Sequence, residues 1–525
     1  MTNVPGRIRE HFSNWRQWEL NPVVVKELRQ AVRSWAVTGM LLLFLAVLFC
    51  TALGLLITQT VQFHVDQRVG ASIFQVFTGI LTGASLLFIP LYVGVRLAAE
   101  RQDANLDLLY ITTLTPARII RGKFLCGAYM TVLFFSACMP FMAFTNLLRG
   151  VDLPTVAFIL VCLFAVVCIA VQIAIFVACL PISRLFKVLL ALFGIGWIMP
   201  AIAWLTFVFY SMMQSGVGSL MGTSNFWNGF FLFFSLALAG TILLYLLSVA
   251  LISPPSANRA FALRGYLTCA WLIGCLVALY WVFKIRTAQV ILVWGLISLS
   301  LLALAMVVVV SNHDALSLRV RRDIPANPFK RATALLFFNG AAGGIIWISL
   351  LSFITVGVML IVLHGATDRT PAFQTMSTDD LDEFTVSIIP TVLYALAYAL
   401  TGLFLQRRFM PRRSPKLAGI FTVLIPAVLA LAPNIALFFA NRLSFRAMEA
   451  TQFGNVFNIY MVHNWPQRTA HLICAAIWII IAVLLNARWF ANQIKAFRPL
   501  EKWTPAPPPL PGNIPPVMQT GEGVS

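Results

Sequence analysis

The chain has 525 residues, of which 60% are apolar and 10% charged, against about 45–50% and roughly a quarter in soluble domains. Water is therefore the wrong solvent for it, and a large globular domain is excluded. The formal charge of +19 would point to nucleic acid in a soluble protein. Here the Lys and Arg residues lie in short segments between apolar stretches, which excludes that reading and assigns them to orientation in a membrane.

The first 35 residues are polar and carry Arg7, Arg9, Arg16, Lys26, Arg29 and Arg33. No small-residue cleavage site follows the first apolar stretch, so that stretch is expected to be an anchor rather than a removed signal. Just before it lies NPVVVKELRQAVRSW. Asn21 can cap a helix, Pro22 suits the first position, and Val25, Leu28, Val32 and Trp35 fall on one face, with Lys26, Arg29 and Arg33 on the remaining surface. The pattern predicts an amphipathic helix in the inner membrane interface, apolar side towards the acyl chains.

Apolar windows long enough to cross a bilayer, about 20 residues each, recur near 36–60, 72–96, 124–146, 155–180, 187–212, 227–252, 265–283, 288–311, 341–363, 384–405, 417–440 and 469–487. If the N-terminus is cytoplasmic, only Arg68, Arg149, Lys284, Arg286, Arg369, Arg442, Arg446 and Arg468 of the 37 Lys and Arg fall in outer segments. The positive-inside rule then predicts twelve spans with both termini cytoplasmic. None of these windows has an ionisable residue near its middle, which argues against a proton relay.

The inner segment after the second window reads RLAAERQDANLDLLYITTLTPARIIRGKF. Asp103 can cap a short helix lined by Leu106, Leu109 and Tyr110 at helical spacing, and Thr115 with Pro116 can open the next helix. Two readings stay open for the apolar stripe: it meets a partner, or it tucks under the protein's own helices. Gly122-Lys123 does not end a phosphate-binding loop, because Ala117 stands where the first Gly belongs and Phe124 follows the Lys. Lys123 and Arg121 are read as marking the membrane boundary of the third span.

Two later inner segments, SLRVRRDIPANPFKR and QRRFMPRRSPK, are strongly basic and read as positive-inside anchors, with contact to anionic lipid or an ATPase as the specific alternative. The outer stretch STDDLDEF holds Asp379, Asp380, Asp382 and Glu383 but lacks the Gly and spacing of a calcium loop. The nine cysteines all lie in apolar windows without a CxxC pair, so neither disulfide nor zinc site is expected. The six histidines form no visible ligand set. The tail after Arg498 is proline-rich and too poor in apolar residues for a core.

The NPVVVKELR helix, then Glu100-Arg101, Leu106-Asp107-Leu108-Leu109, Thr113-Leu114-Thr115-Pro116 and Gly122-Lys123, in that order around the first three spans, resemble the membrane subunit of ABC-2 type transporters. The likeness covers about residues 20–250. Asn105 stands where Thr or Gly is commoner in that family, and the six further spans exceed the usual permease length. The resemblance implies that residues 21–35 form a connecting helix at the membrane surface, with Pro22, Lys26, Glu27 and Arg29 in it. It further implies a coupling helix over 100–116 that seats in the groove of a separate ATPase through Glu100, Leu106, Asp107, Leu109, Tyr110, Thr113 and Pro116.

The expected organisation is thus all-α: a cytoplasmic segment 1–35, a six-helix permease core 36–258, a further six-helix region 259–490 and a cytoplasmic tail 491–525. The family would make the chain the permease of an ABC exporter in a bacterial inner membrane, working with an ATPase and a second permease chain. Catalysis, ATP and magnesium would belong to the ATPase, with no cofactor or metal in this chain. A twelve-span secondary transporter and a membrane-embedded transferase are the competing classes. The second would need outer acidic metal ligands, and Asp66 alone does not supply them.

Overall fold

The computed structural model describes residues 22–61, 69–102, 115–147, 151–181, 183–215, 221–254, 256–285, 289–312, 316–367, 378–441, 444, 447, 452–462 and 465–499. Among these the chain is all-α, without a strand, and twelve of its helices are long and apolar enough to cross a membrane. In order they are the short α1 (Pro22–Val32), the spans α2 (Trp35–Val61), α3 (Val69–Gln102), α4 (Pro116–Leu147), α5 (Leu153–Cys179), α6 (Arg184–Ser215), α7 (Ser224–Ile252), α8 (Ala260–Ile285) and α9 (Gln289–Val310), the short α10 (Leu318–Arg322) and α11 (Pro328–Phe337), and the spans α12 (Ala341–Thr367), α13 (Thr378–Phe409), α14 (Lys416–Phe439) and α15 (Trp465–Ala496). The protein is a polytopic membrane protein of the all-α class.

The helices cluster into two compact units. The first comprises residues 1–254 and 262–270, the second 255–261 and 271–525. In the first unit α3 packs along α5 and α4, and α1 lies against α4. Its core is apolar and aromatic: Phe44, Phe74, Phe77, Leu81, Phe134, Ile159, Leu163 and Ile175 are all buried, with Phe44 and Phe134 rings 5.4 Å apart. Helices in lipid gain little from expelling water, so close approach must come from small residues. Gly127 of α4 supplies one such approach, since a Cβ there would sit 2.6 Å from Val171 Cγ1 of α5.

In the second unit α13 packs on α14 and α15, and α9 on α12. Gly402 of α13 faces the backbone of α14, where a Cβ would meet Ala418 O at 2.9 Å and Thr422 N at 3.0 Å. The basic segment SLRVRRDIPANPFKR folds into the short helix α10 and the start of α11. Ser317 Oγ accepts from Val320 N at 3.3 Å and Asn327 Oδ1 from Phe329 N at 3.0 Å, so each helix starts at a polar cap, and Pro328 occupies the first turn of α11.

The third span also starts earlier than its apolar window. Thr115 Oγ1 accepts from Arg118 N at 3.4 Å and the helix runs from Pro116, as the Thr-Pro pair predicts. Lys123 therefore lies seven residues inside α4, about 10 Å along its axis, and is buried. Arg121 lies on the exposed side of α4.

Candidate functional site

Helix α1 turns three faces to its surroundings, because residues three and four apart share a side. Val24, Glu27 and Ala31 are buried. Lys26, Arg29 and Arg33 are exposed. Val25 and Leu28 are half-buried, while Val32 is 73% exposed and Trp35, the first residue of α2, 82%. The apolar stripe read from the sequence is thus half-buried at its start and exposed at its end, and the face that docks on the bundle is a different one, centred on a carboxylate.

That carboxylate meets Lys123. The Lys123 ammonium donates to Glu27 Oε1 at 2.6 Å and to the Glu100 carboxylate at 2.7 Å (Oε2) and 2.8 Å (Oε1). Side-chain exposure is 3% for Lys123, 5% for Glu27 and 37% for Glu100. One ammonium thus ties α1, the end of α3 and α4 together. A second tie lies one turn before Glu100: Arg96 donates to Gln30 Oε1 of α1 at 2.5 Å and to Tyr92 Oη at 2.6 Å.

Taking such charges out of water costs several kcal/mol per ion, recovered only with good geometry and filled hydrogen bonds. An ammonium has three donors, and carboxylate oxygens on two different helices receive them here. A cluster like this is demanding of position, and it stands at the foot of one segment. Glu100 lies two residues before the end of α3, and Thr115 and Pro116 open α4. Residues 103–114 run between these two stems.

Of the residues expected at a coupling site, Leu106, Asp107, Leu109, Tyr110 and Thr113 lie outside the described residues, as do Asn21 and Asp103. Glu100 and Pro116 are described as the stems. Of the expected interfacial residues, Pro22 opens α1 and Lys26 and Arg29 are exposed. Glu27 is the buried partner of Lys123, not a surface residue. The sequence carried a faint signal for this, since Val24, Glu27 and Ala31 share a helical face.

The second unit holds a polar cluster of another kind, which the sequence reading missed. Residues 452–462 fold against α13, α14 and α15. Tyr398 Oη donates to Gly454 O at 2.5 Å and accepts from Val456 N at 3.1 Å, and Gln452 donates to Asn434 Oδ1 at 2.5 Å. Tyr394 Oη donates to His471 O at 3.1 Å, and its ring lies edge-on to the fully buried His471. Arg468 donates to Val462 O at 2.7 Å and pairs with Glu383. Nearly all of these bonds fix the segment 452–462 or the helices beside it, so the cluster is read as the clasp of a folded connection. Partners separated by 77 positions, such as Tyr394 and His471, leave no pattern along the chain.

Among the described residues no group of His, Cys, Asp and Glu could hold a metal ion. Comparison with known proteins adds no name: no family model matches the chain, and neither a curated protein nor a solved structure does.

Proposed function

We propose that the chain is the membrane-spanning permease of an ATP-driven exporter, powered by a separate ATPase that engages residues 103–114. The observation that carries this reading is the Lys123 bridge. A segment free to flex on its own would transmit nothing to the bundle. Here its first stem, Glu100, and the helix that follows it are tied to α1 through Lys123, by one buried and one half-exposed ion pair, so a push on the segment must move α1, α3 and α4 together. Moving them independently would expose the cost of an unpaired buried charge, ~3–5 kcal/mol.

In this proposal catalysis stays on the partner, with ATP and magnesium, and both termini face the cytoplasm of a bacterial inner membrane, as the loop charges favour. A second permease chain completes the transporter. The most apolar stretches of α6 and α7 have no buried residue within their own unit, which leaves apolar faces for lipid and for that second chain.

The test reads motion rather than binding. In the complex with its ATPase, a spin label at Val32→Cys should change mobility when ATP and vanadate trap the ATPase. The same label in a Lys123→Met background should not, while ATPase binding persists. An unchanged label in the wild-type complex overturns the transmission mechanism, as does a full response in the Lys123→Met variant.

A further inference from the structure

The segment between α9 and α12 forms a ledge that the transport reading leaves without a role. Its two helices are fixed on the second unit. Val320 and Ile324 of the α10 turn are buried with Phe338 and Phe497, and Ala334 and Leu335 of α11 pack on the same cluster. The Phe338 and Phe497 rings meet edge-on at 5.7 Å. Asn339 then clasps the ledge to the start of α8, donating to Ala257 O at 2.8 Å and accepting from Ala260 N at 2.9 Å.

What the ledge turns outward is chemically mixed. Leu318 is 66% exposed and Phe329 78%. Beside Phe329 on the same side of α11 come Ala332, exposed, and Leu336, half-buried. Of the ledge's cations, Arg319, Arg322 and Lys330 are exposed and Arg321 and Arg331 half-buried, against the single carboxylate Asp323 in residues 316–338. Helix α11 has no buried residue of its own, although polar caps and a first-turn proline preform it.

We propose that the ledge is a docking surface for anionic phospholipid, with Phe329 and Leu336 in the acyl region and Lys330, Arg331 and Arg322 on the phosphates. Position and charge favour lipid over a protein partner. The ledge starts a few residues after the apolar span α9 ends at Val310 and finishes three residues before α12 begins at Ala341, so it lies where hydrocarbon gives way to headgroups. A short amphipathic helix with aromatic and basic residues is the kind that lies in that layer, and each cation adds attraction to an acidic surface. The first unit repeats the device: Asn-Pro opens both α1 and α11 in the sequence, and each precedes a span and carries a partly exposed apolar stripe beside basic residues.

The experiment uses the full chain in nanodiscs of phosphatidylcholine, with and without phosphatidylglycerol. An environment-sensitive dye at Phe329→Cys in a background without other cysteines should emit as in a membrane and be quenched by doxyl-labelled lipid, while the dye at Ala326→Cys should emit as in water. In native mass spectra phosphatidylglycerol should be retained over phosphatidylcholine, and Lys330→Ala with Arg331→Ala should lower that preference roughly tenfold. A water-like signal at 329 in both nanodiscs would overturn the proposal. So would an unchanged lipid preference in the double variant, or protection of 329 that arises only when an ATPase is added, since the face would then belong to a protein.

Discussion

At the scale of single residues the energetics turn on which charges can return to water. Removing one partner of a buried pair is costly, whereas replacing both by neutral groups of similar shape is often nearly neutral. Lys123→Met strands the buried Glu27 carboxylate and is predicted to destabilise the protein by ~3–5 kcal/mol. Glu100→Gln should cost clearly less, because its side chain is 37% exposed and already touches solvent. Adding Glu27→Gln to Lys123→Met should recover most of the loss. Thermal unfolding of the detergent-solubilised variants, followed by tryptophan fluorescence, checks all three, and equal loss from Glu100→Gln and Lys123→Met would contradict the ranking.

At the scale of elements the helix contacts make a sharper distinction. The Cβ of Gly127→Ala would strike the end of a side chain, Val171 Cγ1, whereas that of Gly402→Ala would strike backbone atoms of Ala418 and Thr422. Overpacking of either kind costs ~1–3 kcal/mol. Val171→Ala should rescue Gly127→Ala, and no side-chain truncation on α14 should rescue Gly402→Ala. Apparent melting temperatures of the single and paired variants decide this, and failure of the Val171 rescue would mean that α4 and α5 do not approach at Gly127.

The elements themselves were largely legible, because a long apolar run has few alternatives in lipid and caps such as Thr115-Pro116 are local chemistry. What escaped was decided by partners far along the chain. Nothing in the sequence around Lys123 announces that Glu27, 96 positions away, and Glu100 meet it. A window that counts apolar residues also starts later than helix α4 itself, since it stops at any charge, paired or not. The face by which α1 docks on the bundle leaves little trace along the chain for a related reason. The stripe of Val25, Leu28 and Val32 is the more apolar side, but the face of Val24, Glu27 and Ala31, with the Glu27–Lys123 pair at its centre, holds that helix to the bundle.

At the scale of the whole molecule the twelve spans follow from composition, while their orientation rests on loop charge. Single cysteines at Ser377 and Phe457 in a cysteine-free background should react with an impermeant thiol reagent in intact cells, and ones at Ser256, Ala326 and Ser414 should not. Phe457 is the informative site in its connection, being 61% exposed where Gln452 is buried. Labelling of the last three sites would reverse the topology and remove residues 103–114 from the side where an ATPase works.

The proposal that a separate ATPase drives the chain is tested most directly by purifying it in mild detergent and identifying what accompanies it. An ATPase subunit should copurify with the wild type. It should be lost from a Leu106→Asp, Leu109→Asp variant that remains inserted and monodisperse, and kept by Arg412→Ala with Arg413→Ala, whose side chains lie on an exposed turn of the second unit. A well-folded double Asp variant that retains its ATPase, or a wild type that brings none down under conditions preserving the complex, would contradict the account.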